Sequence, residues 1–264
     1  MNNIGTGKNF PRENPGLFDR ALCYIMVNFT IIPTIQIFMN LLNRTRIIGR
    51  KNLAGLKPPW ILMSNHLTLL DDLFIDPLIF FPKGFLGYRY IPYNVPKEKN
   101  FYKHAITFWL MRRLKSIPVI RGRGIQQEGV NRLISAVKRG GILHIYPEGT
   151  RTRNGQIGAA KDGIARIVYE TGAPVVPVYH QGLEKVLPIG SAIPNFGKEI
   201  RIAIGKPLSF QRELEMENDI NTWRLITNRI MDGIREQQRV MNERWGARST
   251  GIRTVKTIKQ SSKC

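Results

Sequence analysis

From residue 60 onward the chain repeats one pattern, a short apolar run followed by a longer stretch with helical spacing. The apolar runs fall at 60–64, 117–120, 142–146, 174–179 and 200–204, and the helical stretches at 69–81, 101–113, 126–138 and 159–170. Gly140-Gly141 supplies a helix stop ahead of the run at 142–146,. Strand and helix in alternation predict an α/β fold, a single domain built on a central mixed sheet flanked by helices. There is no internal repeat, and 264 residues are ample for a buried core,.

The regions outside this pattern divide the chain into three. Residues 1–48 comprise a polar beginning, unlike a signal or transit peptide, and an apolar helical segment; residues 49–212 carry the alternating domain; residues 213–264 read as an amphipathic helix over 213–245 and a basic tail,. The stretch 21–42 contains no charge and is flanked by Arg20 and Arg44. It is long enough to cross a bilayer core of about 30 Å. However, Asn28, Thr30, Pro33, Thr34, Gln36 and Asn40 interrupt it. A helix or helix pair lying in the membrane interface accounts for these breaks better than a clean span does, and a soluble core helix is the third reading.

The formal charge of +21 calls for a polyanionic partner, whether nucleic acid, an anionic membrane surface or a phosphorylated substrate,. The surplus is carried by the 97–139 region as well as by the tail, so this is not a neutral domain with a basic appendage. A nucleic-acid-binding protein is the alternative of another class. The chain has no zinc-finger spacing, no Arg/Gly/aromatic RNA signature and no basic-zipper heptad, and such a protein would leave 21–42 unexplained,. Cys23 and Cys264 are the only cysteines, too few for a disulfide framework or a Cys-based metal site; a reducing compartment fits,.

Two segments carry candidate chemistry. Ser64-Asn65-His66-Leu67-Thr68-Leu69-Leu70-Asp71-Asp72 follows directly on the first apolar run. A histidine with a carboxylate beside it is a general-base arrangement, because the carboxylate fixes the tautomer and stabilises the positive ring. Within one ideal helix, five residues turn the two side chains about 140° apart. His66 and Asp71 can therefore meet only across the strand–helix junction, with Thr68 available as an N-cap. The same residues also fit a histidine at the core edge and two aspartates favouring a helix N-terminus. Tyr146-Pro147-Glu148-Gly149-Thr150-Arg151 ends a later strand. There Gly149 permits a tight turn with exposed N–H groups, and Arg151 can pair with phosphate in two-pronged fashion; a solvated strand-to-loop turn is the plainer reading. Arg121 closes the 117–120 run, at a strand end where α/β folds bind anions. His104, His144 and His180 have no evident partner and read as structural.

In order along the chain, Asn65-His66 with Asp71, then Val119-Ile120-Arg121, then Tyr146 to Arg151, then Val176-Pro177-Val178 resemble the four blocks of the glycerolipid acyltransferase family, which includes the 1-acylglycerol-3-phosphate acyltransferases. The resemblance spans about residues 50–210. The doubled Asp71-Asp72, the segment 117–124 and the segment 182–188 are similar to the tafazzin branch, whose members remodel phospholipid acyl chains. The resemblance implies an O-acyltransferase acting on a lysophospholipid, with His66 as general base and Asp71 orienting it. Arg121, Glu148, Gly149, Thr150 and Arg151 would bind the acceptor. It implies no metal and no cofactor; acyl-CoA, acyl-carrier protein or a phospholipid would serve as acyl donor. The expected setting is monotopic, on the cytoplasmic face of a membrane with an anionic surface as partner. A non-catalytic lipid-binding relative is a further reading, and the intact His66/Asp71 pair argues against it.

Overall fold

The computed structural model describes residues 15–96, 109–111, 113–119, 128–152 and 155–246. Its centre is a six-stranded sheet made of β1 (Arg44–Ile48), β2 (Trp60–Ser64), β3 (Pro92–Tyr93), β4 (Ile142–Ile145), β5 (Val175–Gln181) and β6 (Glu199–Ile204). The strands lie in the order β1-β6-β5-β2-β4-β3. All neighbouring pairs are parallel except β5 and β6, so the sheet is mixed, as the sequence predicts.

The apolar runs are explained by burial on both faces, which parallel strands require. Every side chain of β2 is buried. Trp60 and Leu62 pack with Phe74, Ile75 and Leu78 of α2 (Asp71–Phe80), and with Ile35 and Met39 of the N-terminal helix α1 (Leu17–Leu42). Ile61 and Met63 face the other way, toward α3 (Glu128–Lys138), α4 (Gly163–Thr171) and α7 (Ile220–Trp245). Two short helices, α5 (Leu183–Val186) and α6 (Gln211–Leu214), complete the description.

Three local expectations are corrected. The run 117–120 forms no strand among its described residues, only isolated bridges at Val119 and, just ahead of the run, from Ser116 to Asn94; Pro118 between them has no N–H to join them into a ladder,. The helix expected over 213–245 is broken before Ile220, where Asp219 accepts a hydrogen bond from the Thr222 amide at 2.8 Å and starts α7 afresh,. In α1, Pro33, which the sequence marks as a kink, leaves the helix continuous over Leu17–Leu42. A π-turn over Val27–Ile31 precedes it, so the proline falls in the first turn of the next α-helical segment, where its missing N–H costs least,. Arg121, most of the helix expected at 101–113, and residues 247–264 of the tail lie outside the described residues.

α1 lies against the domain. Cys23, Ile32, Ile35 and Met39 are buried, while Leu17, Phe18, Ile25, Phe29, Ile37 and Leu41 are exposed. Two of the polar interruptions serve this docking. Asn28 is fully buried, and Gln36 donates at 2.8 Å to the Pro77 carbonyl near the end of α2.

Candidate active site

β5, β2 and β4 are adjacent and parallel, so their C-terminal ends open on one edge of the sheet, where α/β folds place ligands,. β2 delivers Asn65 and His66 there, β4 delivers Tyr146 and Glu148, and β5 delivers His180.

His66 and Asp71 meet. His66 Nδ1 is 2.9 Å from Asp71 Oδ2. The turn between them is organised by the carboxylate itself, which accepts from the Leu67 amide at 2.7 Å, the Thr68 amide at 2.9 Å and the Thr68 hydroxyl at 2.6 Å. Asp71 is the first residue of α2, and Thr68 is not its N-cap; the chain reaches the helix through a carboxylate-centred turn. Burial alone would push the Asp71 carboxyl up. The neighbouring His180 ring, the His66 ring and the hydrogen bond from Thr68 outweigh burial and hold it below the ordinary carboxyl value,. An ionised Asp71 accepts the Nδ1 proton of His66, and that hydrogen bond assigns the lone pair to Nε2. The His66 side chain keeps 11% of its surface accessible and Asp71 none, so a substrate can reach the imidazole but not the carboxylate.

The backbone on either side of His66 is fixed from two directions. The Asn65 side chain donates to the His180 carbonyl and accepts from the His180 amide, both at 2.9 Å. His180 Nε2 lies 2.7 Å from the Asn65 carbonyl. Burial pushes the His180 ring down although Asp71 pulls it up, and its Nε2 is placed to donate to the Asn65 carbonyl. On the other side, Glu148 accepts from the His66 amide at 3.1 Å through Oε1 and from the Gly158 amide at 2.9 Å through Oε2. The carboxylate expected to face the acceptor is therefore engaged by backbone donors and ties the β2 and β4 loops together. A side chain at Gly158 would bring Cβ within 2.8 Å of Glu148 Oε2, so glycine is needed for that approach. The Thr152 amide closes the link, donating to the His66 carbonyl at 2.9 Å.

Glu148, Thr150, Arg151, Thr152, Gln156 and Gly158 line a cavity of about 250 Å³. Gly149 turns there in the left-handed region, φ +64°, and the Lys161 side chain packs over it. Of the expected acceptor residues, Glu148 bonds the His66 amide, and Thr150 and Arg151 line the same cavity as Glu148; Arg121 is outside the described residues. Lys161 was not legible as a neighbour: its amide donates to the Pro147 carbonyl at 3.0 Å, a contact that sequence spacing does not contain.

Two further features lay beyond the reach of sequence spacing. The Tyr146 ring stacks on His66, and His144 has strong partners after all: Asp76 Oδ1 at 2.7 Å on Nδ1 and Ser64 Oγ at 3.0 Å on Nε2. Ser64, His144 and Asp76 have the connectivity of nucleophile, base and orienting carboxylate, but they do not have its chemistry. Ser64 is fully buried. Burial would push His144 down, but Asp76, with Asp72 behind it, pushes it up, and with both His144 and Ser64 completely buried no substrate can reach the hydroxyl,. Cys23 is no nucleophile either, since burial pushes its thiol up to about 11,.

Residues 44–181 match the acyltransferase family. The chain belongs to that family. Among its relatives is a Drosophila melanogaster tafazzin, 27% identical over 247 residues, which cover 86% of this chain and 64% of that protein. Another is the chloroplastic 1-acyl-sn-glycerol-3-phosphate acyltransferase BAT2 of Brassica napus, 31% identical over 62% of this chain and 45% of that one. The chain thus spans about half to two thirds of the length of these two relatives. The crystal structure of the 1-acyl-sn-glycerophosphate acyltransferase PlsC from Thermotoga maritima superposes with a TM-score of 0.57 at 20% identity, covering 84% of this chain and 90% of that one, and so shares the fold.

Proposed function

We propose that the chain transfers a fatty acyl group to the free hydroxyl of a lysophospholipid at a membrane surface, with His66 as general base. The observation that carries this reading is the accessible His66 imidazole, fixed by buried Asp71 beside a cavity lined by Thr150 and Arg151. His66 Nε2 takes the hydroxyl proton as the oxygen attacks the donor carbonyl, and the leaving group recovers that proton as the acyl bond breaks. Glu148 and Gly149 shape the acceptor site, the first by holding the two loops together and the second by its turn. Thr150 and Arg151 meet the acceptor directly, Arg151 pairing with its phosphate and Lys161 adding a second cation at the rim; Arg121 is assigned the same task from its motif,. No metal or cofactor enters the scheme.

The donor is a thioester, acyl-CoA or acyl-carrier protein, or alternatively a second phospholipid, as in a tafazzin-like transacylase. The similarity to a tafazzin over 86% of this chain favours keeping the latter as the second reading. Purified protein in detergent micelles, supplied with lysophosphatidate and other lysophospholipids and with either acyl-CoA or a diacyl phospholipid, tests both. Turnover with one donor class selects the reading, and no turnover with any pair contradicts the proposal. With the productive pair, Arg151→Ala is expected to raise the acceptor KM about tenfold or more, since charge-assisted hydrogen bonds are worth about 1.5–3 kcal/mol; an unchanged KM would remove Arg151 from the acceptor site.

We assign α1 to the membrane interface, on the cytoplasmic side. Its exposed apolar face continues onto the domain, where Phe29 meets Phe85 edge-on and Phe85 meets Phe81. Around it, the positive surface favours anionic headgroups, at roughly 1 kcal/mol per basic residue near the surface. Phe29→Asp with Phe85→Asp is expected to lower co-sedimentation with phosphatidylserine vesicles at least tenfold, because burying each ring contributes about 1.5–3 kcal/mol. Undiminished vesicle binding would place the lipid contact elsewhere.

A further inference from the structure

Asp72, Tyr146, His144 and Asp76 take no part in the steps above, yet they form a continuous chain of contacts against His66. The Tyr146 ring lies 4.0 Å from the His66 ring, centroid to centroid, at an interplanar angle of 13°. Its hydroxyl donates to Asp72 Oδ1. The same carboxylate oxygen is 3.5 Å from His144 Nδ1, which is 2.7 Å from Asp76 Oδ1. His144 is completely buried and Tyr146 nearly so, which fixes the chain at both its middle and its end. Tyr146 stays a phenol and a donor, because burial and then the Asp72 charge push it well up.

We propose that Tyr146 is a positioning residue for acyl transfer, its ring held flat against His66 by the Asp72–His144–Asp76 chain so that the imidazole stays in register with Asp71 and is stabilised when it carries the acceptor's proton. The physical basis is the negative face of the aromatic ring. A cation over such a face is attracted to it, and a hydroxyl that donates to a carboxylate makes the ring richer in electrons. Asp71 works on His66 in the plane of the ring, through Nδ1; Tyr146 works from above the plane. The doubled aspartate of the first block thereby gains two tasks, Asp71 on the base and Asp72 on the ring behind it.

The inference rests on His66 being the base, and the experiment separates the two. Steady-state kinetics are measured for wild type, Tyr146→Leu, Tyr146→Phe, His66→Ala and the His66→Ala/Tyr146→Leu double variant, with thermal melts for each. Tyr146→Leu is expected to lower kcat about tenfold with the acceptor KM within about twofold of wild type, the size of a desolvated cation–ring contact. Tyr146→Phe, which keeps the ring, is expected to recover most of that loss. In the His66→Ala background Tyr146→Leu is expected to change nothing further, because its effect passes through the imidazole. An unchanged kcat in Tyr146→Leu, a loss in Tyr146→Phe as large as in Tyr146→Leu, or a full additional loss in the double variant would each overturn the assignment. Full activity in His66→Ala alone would instead overturn the general-base reading. Should Tyr146→Leu fail to fold, Asp72→Asn replaces it, with a smaller loss in kcat at constant KM expected and wild-type kcat overturning the proposal.

Discussion

Asp71→Ala is expected to abolish most of the activity and, in the same substitution, to remove roughly 3–5 kcal/mol of stability, because several buried donors lose their acceptor at once. Its carboxylate is almost entirely buried and receives the Leu67 amide, the Thr68 amide and hydroxyl, and His66 Nδ1. Alanine leaves those donors in the interior, each unsatisfied donor costing about 1–3 kcal/mol in isolation, with partial relaxation keeping the sum below simple addition. Asp71→Asn separates the two losses. The amide fills the same space, but its NH₂ can donate to His66 Nδ1, which puts the ring proton on Nε2 and removes the lone pair the reaction needs. Activity is therefore expected to fall on the order of 10²–10⁴-fold in Asp71→Asn, the usual range for a positioned base, with a smaller loss in Tm than in Asp71→Ala. The pH dependence has a definite sign. The folded carboxyl lies below its ordinary value of 3.8, so the stability it contributes is present above that value and is lost as pH falls through the folded value,. Melting curves of wild type and Asp71→Asn should converge on acidification below about pH 4. Curves that stay parallel on acidification well below that pH would mean that the carboxylate is not held as described.

The central strands were legible because burial on both faces leaves an apolar signature that needs no knowledge of partners. Trp60–Ser64 is found at its predicted bounds, and β4, β5 and β6 differ from theirs by only a residue or two at the ends. β1 was not legible. Arg-Thr-Arg-Ile-Ile is an edge strand whose half-exposed pattern carries two arginines, and only its pairing with β6 makes it part of the sheet. At 117–119 the apolar residues are present, but the described residues make only isolated bridges, at Ser116 and Val119, and no strand.

The site divides in the same way. The meeting of His66 with Asp71 was permitted by their spacing at a strand end, because the contact is local, although a core-edge histidine fitted the same residues. Contacts between His144 and Asp76, between Asn65 and His180, and between Glu148 and the His66 and Gly158 amides depend on strand order, which sequence spacing does not contain. Nor could the sequence say that Asn28 and Gln36 interrupt the apolar N-terminal segment where it packs on the domain, Asn28 buried and Gln36 bonded to the Pro77 carbonyl.

The reading as a whole turns on His66. Its imidazole is the accessible member of the pair, and its backbone is held by Glu148 through the amide and by Thr152 through the carbonyl. Alanine at this position deletes the ring while leaving those backbone bonds and the Asp71 turn in place, so the fold should survive the loss of the base. The most direct measurement is the rate of diacyl product formation by wild type and His66→Ala on the productive donor–acceptor pair, followed by mass spectrometry, with Tm measured on the same samples. The account predicts a fall in kcat of at least about a hundredfold at a Tm within a few degrees of wild type. Equal rates in the two proteins would contradict it.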